Sequence, residues 1–188
     1  MKLNDLLKEN KIVAFGFDAV KDLVRFDNKD SESTVIISTI APSLLVRHGV
    51  NEYYGLELSR DTVYKTGLDI IKADIDVAKY RLHALDIYPF EKKQDFVIAS
   101  RHEGTIEILK NEFPFLENAP VYERVLADEI KGKHVFGTLP HHLIPECDLY
   151  TSITIRGFDY VKDNDLKGVE LIERIQIAET PIMLEKID

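Results

Sequence analysis

Ser100, Arg101, His102, Gly104 and Thr105 lie together in "DFVIASRHEGTIEIL" (95–109), directly after an apolar run and at the start of a helix-like segment. A second segment, "HVFGTLPHHLIPE" (134–146), repeats that layout: an apolar run, then Gly137, Thr138, Pro140, His141 and His142. The chemistry these residue types suggest is handling of an anion, a phosphate above all. Unbonded backbone N–H groups and the dipole at a helix N-terminus attract negative charge, and a glycine lets a phosphate approach the backbone closely. The planar fork of Arg101 matches phosphate oxygens, and a histidine near such a site can accept or donate a proton at neutral pH. The plain alternative stays open for both segments: solvated strand-end loops whose histidines are structural or exposed.

Other chemistries fit less well. Adjacent histidines cannot both face one way along a strand, so His141 and His142 do not make a natural metal pair. Zinc would want more ligands at recognisable spacing than these and Cys147 provide, and no metal or cofactor is expected. Walker, G-x-G-x-x-G, H-E-x-x-H and G-x-S-x-G motifs are all missing. His48 and His83 read as surface or structural residues.

Strands and helices must position these groups. "LNDLLKE" (3–9) reads as a short helix, with strands expected at 12–16, 34–39, 95–99, 133–137 and 151–156. A helix is expected over about 103–112 and an extended piece near 120–126. Tyr64, Leu68, Ile71, Ile75, Ala78 and Leu82 recur at steps of three and four, which predicts one long helix over 59–84. Ser59 would cap it and "YPFEKK" would end it. The C-terminal "LIERIQIAETPIMLEKI" mixes alternating and helical patterns, so period alone does not decide it. Alternating strands and helices imply an α/β fold, Rossmann-like, with a mostly parallel sheet covered on both faces. The polar, turn-like 27–33 suggests a boundary between an N-terminal extension (1–33) and a main domain (34–188). "VIISTIAPSLL" echoes "HVFGTLPHHLI" in apolar run, threonine, proline and leucines, which adds Thr39 to the candidate ligand-binding residues.

Bulk properties set limits. An apolar fraction of 45% in 188 residues suits a globular chain with a core. The net charge of −9 argues against a general binder of duplex nucleic acid, where neutralising phosphates supplies most of the affinity. It leaves room for a small anionic ligand held by a local cluster. No run approaches the length of a membrane helix, and the N-terminus lacks the pattern of a secretory signal. With one cysteine, Cys147, no internal disulfide can form. These features predict a cytoplasmic protein that does not bind membranes.

Jointly, "SRHEGTIEIL" and "GTLPHHL" resemble the two motifs of a small CRISPR-associated family attached to type III systems: Ser-Arg-His-x-Gly-x-Ile-Glu, then Gly-Thr-Leu-Pro-x-His-Leu. The first is also similar to the Gly-His-x-x-Thr segment of viral anti-CRISPR ring nucleases, in which the histidine is catalytic. The resemblance covers residues 95–156 and does not reach 1–33. It implies a Rossmann-like fold, a homodimer, and a cyclic oligonucleotide ligand, cyclic oligoadenylate first, whose metal-independent cleavage ends or evades antiviral signalling. Carried over residue by residue, it marks Ser100, Arg101, His102, Gly104 and Thr105, then Gly137, Thr138, Leu139, Pro140 and His142. His102 and His142 would be base and acid, with Arg101 stabilising the charge that develops on phosphorus. A one-histidine scheme and a non-catalytic binding protein that sequesters the signal remain as alternatives.

Overall fold

The computed structural model describes residues 1–59, 62–85, 95–158, 163 and 166–187. Among these are ten strands and seven helices, divided between two compact units. The first unit comprises 1–40, 44–83 and 184–188; the second comprises 41–43 and 84–183.

In the first unit, α1 (Leu3–Glu9) places Leu3, Leu6 and Leu7 on one buried face. That spacing of three and four is the one that gathers side chains on a single helical stripe. β1 (Lys11–Phe15) pairs in parallel with β2 (Thr34–Ser38), β2 in parallel with β3 (Glu52–Leu56), and β3 antiparallel with β4 (Val77–Ala84). Between them lie α2 (Asp18–Lys21), α3 (Pro42–Arg47), whose first two residues belong to the second unit, and α4 (Gly67–Ala73). The core joins Leu3, Leu6, Ile12, Val20, Leu23, Ile37, Ile70 and Val77. Residues 1–33 are therefore built into this unit, and the expected boundary at 33/34 falls between two strands paired along five residues.

The long helix expected over 59–84 is not formed. α4 starts at a capping box between Thr66 and Asp69 and stops at Asp74, whose backbone is left-handed (φ 42°). From Ala78 the burial alternates: Ala78, Tyr80 and Leu82 are buried, Lys79 is partly buried, and Arg81 and His83 are exposed. A period of two explains this as a strand, and the tyrosine pair Tyr53–Tyr80 packs across β3 and β4 with ring centroids 5.6 Å apart. His83 consequently sits on a strand, 3.4 Å from Glu185, and not near a helix end. "YPFEKK" lies outside the described residues.

The second unit contains β5 (Phe96–Ala99), α5 (Glu103–Glu112), β6 (Val121–Tyr122), α6 (Ala127–Ile130), β7 (His134–Gly137), β8 (Leu149–Ile155), α7 (Gly168–Arg174) and β9 (Ile175–Ile177). Of β10 (Ile182–Lys186), the first two residues belong here and the rest to the first unit. The strand order is β10–β8–β7–β5–β6. β5, β6, β7 and β8 run parallel, while β9 and β10 lie antiparallel to β8. Ile98, Leu109, Leu116, Phe136 and Ile153 form the core, backed by Ile106 and Phe113 from α5 and its end. The ambiguous C-terminus resolves as helix, then strand, then strand. The extended piece expected at 120–126 shortens to the two residues of β6. The fold is thus mixed α/β with mostly parallel pairings, and no described helix is long and apolar enough to cross a membrane.

Candidate functional site

The carboxyl ends of β5 and β7 lie side by side, because parallel pairing sets Ala99 opposite Gly137. Carboxyl ends of parallel strands are where α/β sheets bind ligands. Beyond Ala99 the chain turns sharply. The Ser100 hydroxyl accepts the His102 backbone N–H at 3.2 Å, a local turn that Ser commonly nucleates. His102 is then the N-cap of α5, its carbonyl accepting from Thr105 and Ile106. Glu103 and Gly104 present the N–H groups that have no acceptor within the helix. Glu103, exposed in the first turn, already supplies some of the negative charge the helix dipole favours.

Arg101 is exposed and its Nε–H reaches His102 Nε2 in a long hydrogen bond of 3.5 Å. In that contact the imidazole Nε2 is the acceptor. The ring also meets Phe158 edge-to-face, centroids 6.0 Å apart. Two expected ligand residues serve packing instead. A Cβ on Gly104 would come within 2.8 Å of Leu171 on α7, so the bare Cα there admits a neighbouring helix. Thr105 is buried.

On the β7 side, Gly137 is required twice over. Its φ is 141°, and a Cβ would stand 2.1 Å from the Ala99 carbonyl oxygen. Only glycine lets the two strand ends approach this closely. Thr138 then ties three strands: its N–H donates to Ala99 (3.0 Å) and its hydroxyl to the Ile153 carbonyl (3.2 Å). Pro140 precedes a 3-10 turn (His141–Glu146) in which His141 is partly buried and His142 exposed.

The structure therefore sets the strand ends Ala99 and Gly137 side by side, with Ser100, Arg101 and His102 following the one and Thr138 the other. The contacts among the described residues do not join His142 to His102. Thr39 belongs to the first unit, whereas every other candidate belongs to the second.

Three relevant residues were missed in the sequence. Tyr150, on β8, donates from its hydroxyl to the Gly137 carbonyl (2.9 Å) and accepts the Leu139 N–H (3.2 Å), holding the Thr–Leu–Pro turn from beneath. Burial pushes its phenol well above the ordinary range. Phe158 and Arg174 shape the loop beside His102. The cue for Tyr150 was its place at the second position of a strand whose apolar neighbours are buried; nothing in the sequence points to its partner. Cys147 is buried, and burial pushes its thiol up to about 12, which keeps it protonated and unavailable as thiolate. Among the described residues, no group of three or more His, Cys, Asp or Glu is placed to hold a metal ion. Compared with known proteins, the chain matches no family model, and no curated protein or solved structure matches it significantly.

Proposed function

We propose that the β5–β7 strand ends bind a phosphodiester of a cyclic oligonucleotide, cyclic oligoadenylate first, and that the protein cleaves it without a metal. The observation that carries this reading is the pairing of Ala99 with Gly137. It sets the Ser-Arg-His turn and the Gly-Thr-Leu-Pro turn on neighbouring parallel strands. A Rossmann-like arrangement of the second unit, a homodimer and a cytoplasmic location, where such messengers would be met, belong to the same reading.

In the proposed reaction the ribose 2′-oxygen forms a bond to the adjacent phosphorus while the bond from phosphorus to the 5′-oxygen breaks. His102 takes the 2′-hydroxyl proton, a role worth ~10²–10⁴ in rate. Arg101 and the N–H groups of Glu103 and Gly104 stabilise the charge gathering on the phosphoryl oxygens. The 5′-oxygen takes a proton from His142 or from water, leaving a 2′,3′-cyclic phosphate and a 5′-hydroxyl. Strict positioning of the sugar could supply the remaining acceleration if only one histidine acts. A second reading is binding without cleavage, for which the exposed Arg101 and the N-terminal N–H groups of α5 would suffice.

Incubation with cyclic tetra- and hexa-adenylate in the presence of EDTA, followed by chromatography, separates the readings. Linear products that disappear in His102→Ala support cleavage. Intact rings retained by the protein support sequestration. Rings neither bound nor cut refute both.

A further inference from the structure

The turn that leaves β8 is held more firmly than a surface turn requires. Phe158 N–H closes it onto the Ile155 carbonyl at 3.3 Å, with Gly157 at φ 63°. A Cβ on Gly157 would meet nothing within 4 Å, so the backbone conformation alone demands glycine there. Arg174, at the end of α7, reaches across: its Nε donates to the Arg156 carbonyl (3.0 Å) and a terminal nitrogen to the Gly157 carbonyl (2.8 Å). The Arg156 N–H returns a bond to the Arg174 carbonyl at 2.9 Å. The guanidinium is itself fixed by Asp163 (3.1 Å) and Glu170 (3.0 Å). The residue that follows this clamped turn is Phe158, partly buried, its ring meeting that of His102 edge-to-face.

We propose that Phe158 is the platform on which a base of the bound nucleotide stacks, and that Arg174 is the positioning residue that fixes the platform. This inference rests on the phosphate-binding reading above and deepens it by assigning where a base goes. If His102 and Arg101 take a phosphate, the base attached through the intervening sugar needs a surface close by, and the Phe158 ring centroid lies 6.0 Å from that of His102. Aromatic side chains serve this purpose because every base has a π-face, and ordering the ring beforehand spares entropy at binding.

Calorimetric titration of the full chain with AMP, ribose 5-phosphate and inorganic phosphate tests this. Phe158→Leu should weaken AMP about tenfold while leaving ribose 5-phosphate unchanged, and Phe158→Tyr should retain AMP binding. Arg174→Lys, which keeps the charge but loses the fork, should lower the preference for AMP over ribose 5-phosphate by a few-fold. Equal weakening of both ligands by Phe158→Leu, or no weakening of either, overturns the platform while phosphate binding stands. If the parent protein binds none of the three, both the platform and the phosphate site fall.

Discussion

The same backbone device occurs in each unit. In the first, β1 and β2 run parallel and the Thr39 N–H, just past β2, donates to the Phe15 carbonyl at the end of β1 (2.9 Å). In the second, β5 and β7 run parallel and the Thr138 N–H, just past β7, donates to the Ala99 carbonyl at the end of β5 (3.0 Å). A glycine fills each narrow place: Gly16 under the Thr39 hydroxyl, Gly137 over the Ala99 carbonyl. In sequence a proline follows each threonine, Pro42 at the start of α3 (assigned, unlike Thr39, to the second unit) and Pro140 before the 3-10 turn. What differs is the sequence after the neighbouring strand. β1 runs into Gly16, Phe17 and the four-residue α2, whereas β5 runs into Ser100, Arg101, His102 and the ten-residue α5. The threonine device is thus a way of closing two parallel strand ends, and a site depends on which residues follow the adjacent strand.

The largest expected effect separates the two devices by activity. His102→Ala should reduce cleavage of cyclic oligoadenylate by ~10²–10⁴, and Thr39→Ala should leave the rate unchanged, both read by chromatography of the products. A rate loss in Thr39→Ala would break the comparison and give the first unit a part in the chemistry. Next in size is stability. Gly137→Ala drives a Cβ into backbone and into a strained φ, so it should cost ~3 kcal/mol or more. Gly16→Ala, strained at φ 156° as well, should cost less, because its obstacles are side-chain atoms of Thr39 and Val20 and not backbone. Urea unfolding of the two variants measures the difference.

Short segments with one dominant pattern were legible in the sequence. The helices at 3–9 and 103–112 formed with those bounds, and the strands at 12–16, 34–39, 133–137 and 151–156 formed within a residue or two. The echo between Thr39 and Thr138 was visible too, and the shared hydrogen bond gives it a physical basis. The 59–84 stretch misled because its apolar residues fit both periods in part. Helical spacing over 64–82 ignored the left-handed Asp74 and the strand-like alternation after it, and tertiary pairing with β3 decided the outcome. At the site, the polar residues at strand ends could be named from the sequence. Their separation into ligand-facing and structural groups could not, because that depends on which neighbour fills the space beside Gly104 or above Gly137.

His134 separates the units by pH. It is buried at the start of β7, stacked on Phe136 (4.4 Å) and hydrogen-bonded to the Thr151 hydroxyl (2.8 Å). Burial lowers its pKa to about 4 from the ordinary 6.5. Below pH 6.5 the unfolded chain takes a proton that the folded one refuses, so the stability tied to this residue is complete above pH 6.5. It declines as pH falls toward 4, by about 3 kcal/mol over that window. Hydrogen exchange, corrected for intrinsic rates, should show β7 and β8 losing protection in acid ahead of β1 and β2. His134→Gln should flatten that loss, and equal acid sensitivity in the two units would remove this difference between them.

The smallest effects concern how each threonine turn is held. In the first unit the tie is local: the Ile40 N–H donates to the buried Ser38 hydroxyl two residues back, at 3.2 Å. In the second it is long-range, with the Tyr150 hydroxyl bonded at once to Gly137 and Leu139. Tyr150→Phe keeps the ring but strands a buried carbonyl and a buried N–H, a cost of about 1–3 kcal/mol. Ser38→Ala removes one bond to a neighbouring amide and should cost about 1 kcal/mol. Because Tyr150 supports the turn that leads from Gly137 to Pro140, its loss should also slow cleavage by a few-fold, a change Ser38→Ala should not produce. Thermal melts and rates measured on both variants decide the point. A rate unaffected by Tyr150→Phe would mean that the Thr–Leu–Pro turn closes the sheet in the second unit as it does in the first, with no share in the reaction.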